Sequence, residues 1–437
     1  MYTLNINERG KNMPKLKRSI SWLQGTAMAI GAVIGTGVLI LPAKTAELAG
    51  PASLVSWILI SVFVLPIALT LGRLAAKVPD AGGIVAYARK AFGPSIAAIT
   101  GWVLLGSIPV GVPIIALIGA NYVRGTFDLS NWSVTGIAGI ILASSLILNA
   151  RGIKISSSVQ ILIVSLITLL IIIAVAGASS KVSNSEFHPF APYGWTPVGL
   201  AGVIIFFSFV GWEMIAHLAE EFHNPSRDVP ISLGLSAIII SLLYLSVSFV
   251  TVGTGSYGNE EGLAPLSILI AKGFGNIAGS LTTILALLIT FGAVHTNIAG
   301  FSRMVYAQAR EGDFPKIFAK VHSKYRTPIV SLLGLASIFL VVLLYNGFSR
   351  PDLGFLIQWP SVIFIVSYMI AMASALKLLS KKDIYWWFAL ISLIFCTILY
   401  GFSGWASIYA PILVILGWII TSRKTSMQKN SSTRKEM

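Results

Sequence analysis

The chain has 437 residues, of which 55% are hydrophobic and only 11% charged. A soluble domain carries about a quarter charged residues, so water is not the main solvent and an ordinary soluble fold is excluded. The formal net charge of +15 raises nucleic acid as a partner, a reading that the placement of the charges argues against below.

The apolar residues are gathered into long blocks such as 161–176 and 231–252. A helix that crosses a bilayer needs roughly 20 such residues. The blocks do not alternate apolar with polar positions as barrel strands do. They predict an all-α membrane protein of about twelve spans: 22–43, 51–72, 95–123, 132–149, 156–178, 196–219, 231–253, 276–302, 327–346, 355–376, 384–402 and 404–421. Residues 1–21 form a polar, basic tail, with Met1 and Met13 both open as the start. No cleavable signal peptide is expected, because the first apolar block lacks a small-residue exit and eleven more follow it.

The first span is interrupted by Gly31-Ala-Val-Ile-Gly-Thr-Gly37. The segment 77–94, between spans two and three, carries charges and glycines beside apolar residues and predicts an amphipathic helix. Span three contains Pro109 and Pro113, which predict a kink. Span six is broken at Phe207-Ser-Phe-Val-Gly-Trp-Glu213, where Gly211 precedes Glu213, the one acid placed well inside a span. The loop residues Glu220, Glu221, His223 and Asp228 read as a solvated, helix-capping group. The outer loop 254–275 is long enough for a short helix over the mouth. Span eight carries His295 and Asn297 near its middle or inner half, candidates for a pathway or for hydrogen bonds to a neighbouring helix. A basic tail, 422–437, closes the chain.

With the N-terminus inside, every Lys and Arg except Lys44, Arg124, Lys181, Lys272 and Arg350 falls on the cytoplasmic side. That asymmetry is the signature of inner-membrane topology and places both termini in the cytoplasm. It makes the lipid bilayer, not nucleic acid, the partner of the positive charge. The single cysteine, Cys396, precludes an intramolecular disulfide. The five histidines show no metal spacing, so no metal or cofactor is expected. No phosphate-binding G-x-x-x-x-G-K-[ST] loop occurs, and no soluble output domain fits. These absences argue against an enzyme, an ATP-driven pump and a receptor.

Interruptions in corresponding spans of two halves point to a transporter's central site. Spans 22–178 and 196–378 make two sets of five, hence of opposite orientation, with 384–421 outside the repeat. Unwound backbone must face a cavity or ligand, since each bare peptide group in hydrocarbon costs several kcal/mol. A zwitterionic amino acid matches such backbone: its carboxylate suits N–H groups around Thr36, Gly37 and Val38, its ammonium the carbonyls near Val33 and Val210. Glu213 has three readings, as anchor of the broken helix, as indirect partner of the substrate amine, or as proton carrier; the first is preferred. Phe209 and Trp212 read as lipid-facing or packing residues, and Phe207 as a pocket residue.

Three linked motifs carry a family resemblance. Gly31–Gly37 with Val38-Leu-Ile-Leu-Pro42 resembles the first-helix signature of the amino acid–polyamine–organocation permeases. Phe206 to Glu213 and Ala219-Glu-Glu-Phe-His-Asn-Pro-Ser-Arg-Asp-Val-Pro230 resemble that family's sixth helix and following loop. Ser302-Arg-Met-Val-Tyr-Ala-Gln-Ala-Arg-Glu-Gly-Asp-Phe-Pro315 is similar to its eighth-helix exit. Ser107-Ile-Pro-Val-Gly-Val-Pro113 and Ala216-His-Leu-Ala219 further resemble the bacterial branch that exports methionine and branched-chain amino acids. The resemblance implies a five-plus-five inverted repeat with discontinuous helices one and six, alternating access around them, and substrate contacts at Val33, Thr36, Gly37, Phe207 and Val210. Gly31, Gly35 and Gly211 would form the breaks, and Glu213 matches a frequent acid. Some relatives use a fifth-helix lysine in place of sodium; Ile167 and Thr168 lie near that place here, which argues against lysine-based proton coupling. The expected activity is secondary transport of neutral aliphatic or sulfur-containing amino acids, with efflux favoured and an uptake permease or exchanger as alternative. Proton coupling and oligomeric state stay open.

Overall fold

The computed structural model describes residues 16–35, 37–127, 129–258, 278–349, 358–401 and 403–436. Among them the chain is helical without strands, apart from an isolated bridge between Ile20 and Phe222. The outer-loop helix expected within 254–275 falls almost wholly outside the described residues, as does Thr36.

The order is α1 (Trp22–Val33), α2 (Gly37–Ala49), α3 (Ser53–Lys77), α4 (Ile84–Phe92), α5 (Pro94–Phe127), α6 (Asn131–Ala150), α7 (Ile153–Ser179), α8 (Thr196–Phe207) and α9 (Glu213–Leu218). There follow α10 (Pro225–Gly253), α11 (Ala278–Arg310), α12 (Ile329–Ser349), α13 (Gln358–Leu378), α14 (Ile384–Gly401) and α15 (Tyr409–Glu436). Ten stretches among the described residues are long and apolar enough to cross a membrane. The segments read as spans one and six are different. Each is a pair of short helices separated by non-helical backbone, α1 with α2 and α8 with α9.

Two observations concern the long helices. Span three runs through Pro109 and Pro113 as the single helix α5. Beside the prolines, Tyr409 of α15 donates to the Gly106 carbonyl at 3.0 Å. The last span, read as 404–421, matches the apolar stretch Gly404–Ser422, and its helix continues past the span to Glu436. The amphipathic segment at 77–94 does form a helix, α4, whose Ile84, Val85, Tyr87, Ala88 and Ala91 are buried.

Burial sorts the helices into two apolar bodies. One joins α1, α3, α7, α8, α10, α13 and α14. The other centres on α5, α6 and α12. The long helix α11 contributes residues to both, and it is the most enclosed of the spans. The interrupted segments lie at the seam. Val33, Val38, Phe209 and Trp212 belong to the first body, and Ala32 and Met214 to the second.

Candidate functional site

The first break begins with a well-defined start and an abrupt stop. Ser21 and Gln24 form a reciprocal capping box at the N-terminus of α1, satisfying two otherwise orphan donors. At the other end Ile34 adopts φ −70° and ψ 81°, close to an inverse γ-turn. Gly35 N–H therefore donates to the Val33 carbonyl at 2.7 Å, and the helix cannot continue. Gly35 and Gly37 are partly exposed, while Val33 is buried.

The second break tightens before it opens. Ser208 and Phe209 N–H groups donate to the Ile205 and Phe206 carbonyls at 2.9 and 3.0 Å, the three-residue spacing that often closes a helix. Gly211 then takes φ +139°, a conformation that glycine alone adopts at little cost. A Cβ there would also meet the Ala32 carbonyl oxygen at 2.7 Å. At Gly37 a Cβ would lie 2.8 Å from Ser208 Cβ. Glycine is thus required where the two breaks touch.

Two tyrosines that sequence reasoning missed hold this crossing. The Tyr244 hydroxyl, from α10, donates to the Val33 carbonyl at 3.2 Å and to the Ser208 carbonyl at 3.1 Å. One proton is shared between the two broken segments. The phenol ring packs on Trp57 and Phe209, with centroids 5.4 and 5.0 Å away. Phe209 and Trp212 are fully buried packing residues, not lipid-facing ones.

Tyr368, from α13, donates its hydroxyl proton to Glu213 Oε2 and accepts the Gly211 N–H at 3.1 Å. Gly211 N–H also reaches Glu213 Oε2 at 3.1 Å. Glu213 opens α9, where a carboxylate complements the helix dipole. It is fully buried, and its Oε1 has no partner among the described residues. The signal for both tyrosines was a polar tip in an apolar run, which composition alone cannot aim at a partner.

Gly31, expected as part of the first break, is instead helical within α1, and the fifth-span side chain against it is Gln160. Its amide lies fully buried between Gly31 and Gly292, donating to the Gly292 carbonyl at 3.2 Å. Any side chain at residue 31 would overlap it.

His295 sits elsewhere, at the α6–α7–α11 junction. With its proton on Nε2, it donates to Ser156 Oγ at 2.6 Å, and its Nδ1 accepts from Asn149 Nδ2 at 3.3 Å. Ser156 Oγ in turn donates to Asn149 Oδ1 at 3.4 Å. The ring is closed in a cycle of helix-to-helix bonds, and the geometry matches the packing reading. Asn297 Nδ2 donates to Ala293 within its own helix at 2.8 Å. Of the expected substrate contacts, Val33, Gly37 and Val210 gather at the crossing, where Val33 is buried and Gly37 and Val210 are partly exposed. The backbone of Phe207 ends α8, but its side chain lies outside the described residues.

The loop after α9 departs most from the sequence reading. Glu221 is not solvated: it is buried and accepts from Arg303 Nε at 2.6 Å. Burial raises the pKa of its carboxyl, and the Arg303 guanidinium pulls the other way. Glu220 pairs with Arg310, which also meets Asp80 at 2.8 Å. Asp228 keeps the expected capping role, accepting the Asn224 N–H at 3.1 Å. The segment before α1 is tied in as well. Ser19 and Ile20 N–H donate to the Glu221 carbonyl at 2.8 and 3.0 Å, and His223 N–H to that of Ile20 at 2.9 Å. Among the described residues no His, Cys, Asp and Glu cluster is placed to hold a metal.

A helical membrane protein with two interrupted helices crossing at a seam between two packed bodies has the build of a carrier. The chain belongs to the amino acid permease family, whose profile matches residues 20–431. It is 49% identical to the uncharacterized amino acid permease YecA of Bacillus subtilis (strain 168), over 95% of this chain and 98% of that one. It is 29% identical to the L-methionine/branched-chain amino acid exporter YjeH of Escherichia coli (strain K12), over 96% of this chain and all of the relative. A branched-chain amino acid permease of B. subtilis, BcaP, is 28% identical over 72% of each chain. The protein is a multi-pass membrane transporter of amino acids, not an enzyme.

Proposed function

We propose that the protein is a secondary transporter of neutral amino acids with aliphatic or sulfur-containing side chains, working mainly as an exporter with both termini in the cytoplasm. The observation that carries this reading is the crossing itself. The carbonyls of Val33 and Ser208 share one phenol, and Gly211 lies against Ala32, so the peptide groups of both breaks converge on one small volume. Peptide groups released from helices suit the charged ends common to all amino acids. The side chains packed around the crossing, Val33, Val210, Phe209 and Trp57, are apolar, and Glu213 is the one ionisable acid among the described residues of the two breaks. Apolar surroundings of this kind disfavour a cationic side chain, whose burial without a partner is costly.

The expected ammonium site needs adjustment. The Val33 carbonyl already accepts from Gly35 and Tyr244. A substrate ammonium uses it only by displacing the phenol, so Thr36, Gly37 and Val210 are the stronger substrate candidates. The export direction is favoured by likeness to the E. coli exporter and by the Ser107–Pro113 motif.

Glu213 acts as the anchor of the second break through Gly211 and Tyr368. A second role, as a proton carrier, has one observation in its favour: the buried Oε1 has no partner among the described residues and is the atom left to take a proton. Counterflow in proteoliposomes, against a panel of unlabelled amino acids with pH and sodium varied, tests the proposal. Exchange with methionine, leucine, isoleucine and valine is expected. A response confined to arginine and lysine overturns it.

A further inference from the structure

At the end of the molecule where α3, α13 and α14 meet, five cations collect around a single carboxylate. They are Arg73 and Lys77 at the close of α3, Lys377 at the close of α13, and Lys381 and Lys382 in the turn before α14. The one acid, Asp383, is committed to Arg73, whose Nε and Nη2 both donate to its Oδ2, at 3.1 and 3.0 Å. Lys77 donates to the Leu378 carbonyl and so fixes α3 to α13. Lys377, Lys381 and Lys382 are exposed and have no carboxylate partner among the described residues.

These cations are placed against aromatic rings. Lys377 lies over Phe92 at 5.1 Å, Lys381 over Trp386 at 5.6 Å and Arg73 over Tyr385 at 5.6 Å. Tyr and Trp at such a level mark the boundary between headgroups and hydrocarbon. Trp386 is itself oriented by a bond to the Leu376 carbonyl at 2.9 Å. Directly beyond the cluster, α14 presents Ile384, Trp387, Ile391, Ile394 and Ile398, all exposed. Their spacing of three to four residues lays one apolar stripe along the helix.

A patch with cations at the interface, aromatic rings beneath them and an apolar track leading into the membrane is complementary to one molecule, a phospholipid with an anionic headgroup. We propose that this cluster is a binding site for such a lipid, its phosphate held by Lys377, Lys381 and Lys382 and an acyl chain lying along the α14 stripe. The site holds the α13–α14 turn against α3, on the face assigned above to the cytoplasm.

The test uses the full chain in phosphatidylcholine vesicles containing phosphatidylglycerol, with selectivity read from the immobilised fraction of spin-labelled lipids. Wild type is expected to prefer the glycerol lipid, with a loss of about fivefold in association for each interfacial lysine removed. K381Q/K382Q should bring the preference close to that for phosphatidylcholine, and K377Q should lower it partway. The control pair K320Q/K324Q removes exposed lysines from the α11–α12 connection and should leave the preference intact. An unchanged preference in K381Q/K382Q overturns the proposal, and so does an equal fall in the control pair, which marks diffuse attraction instead of a site.

Discussion

At the scale of single residues, the crossing depends on one hydroxyl and one glycine. The Tyr244 hydroxyl is the shared partner of two carbonyls from different segments. Y244F keeps the ring in its aromatic packing and removes that partner. A hydrogen bond of this kind is worth about 1 kcal/mol net. The expected result is a KM for transport raised roughly 2- to 10-fold, with the yield of folded protein retained, as measured by initial rates in proteoliposomes. Gly211 is less forgiving. Alanine there combines a positive φ with contact against the Ala32 carbonyl. G211A should cost at least about 1–3 kcal/mol and lower the melting temperature in detergent. Glu213 separates its two proposed roles by substitution. Glutamine still accepts from Tyr368 and Gly211, so E213Q should fold and transport, and a pH dependence unchanged from wild type removes the proton-carrier role. The glycines and Glu213 were legible in the sequence because each is anomalous in an apolar run. Tyr244, Tyr368 and Gln160 were not, because a polar tip on a span says nothing of which neighbour it faces.

At the scale of elements, the same reasoning separates what hydropathy reveals from what only packing decides. The spans were legible because a backbone in lipid must satisfy its own peptide groups, which leaves helices as the reading of long apolar blocks. The breaks were legible for the converse reason. The loop following α9 was misread because its acids looked solvated one by one. Arg303 is 82 positions from Glu221, and its approach along α11 is what buries the pair. Removing one partner of a buried pair costs about 3–5 kcal/mol, whereas replacing both with apolar residues is often neutral. E221A should therefore destabilise the protein strongly in thermal melts. E221L combined with R303M should recover most of that loss, giving a large coupling energy in a double-mutant cycle. If E221A melts like wild type, the pair does not hold the segment before α1 to α11. The prolines of α5, from which a kink was expected, lie within one continuous helix, and a tyrosine from α15 bonds a carbonyl beside them.

At the scale of the whole molecule, the interrupted helices lie between two apolar bodies bridged by α11. Interfaces and packed cores switch between discrete arrangements instead of deforming continuously. On the proposed reading, a site built from both bodies is where their relative motion would expose a substrate first to one side and then to the other. The central claim is that an amino acid occupies the crossing of the two breaks, and Val210 is a partly exposed side chain there. Cys396 is the single native cysteine and is buried, so C396S supplies a thiol-free background for V210C. The most direct measurement is the rate of V210C modification by a small thiol reagent, with and without saturating amino acid. Methionine or leucine should slow the reaction several-fold and arginine should leave it unchanged. A rate indifferent to every amino acid that the same protein transports would contradict the account.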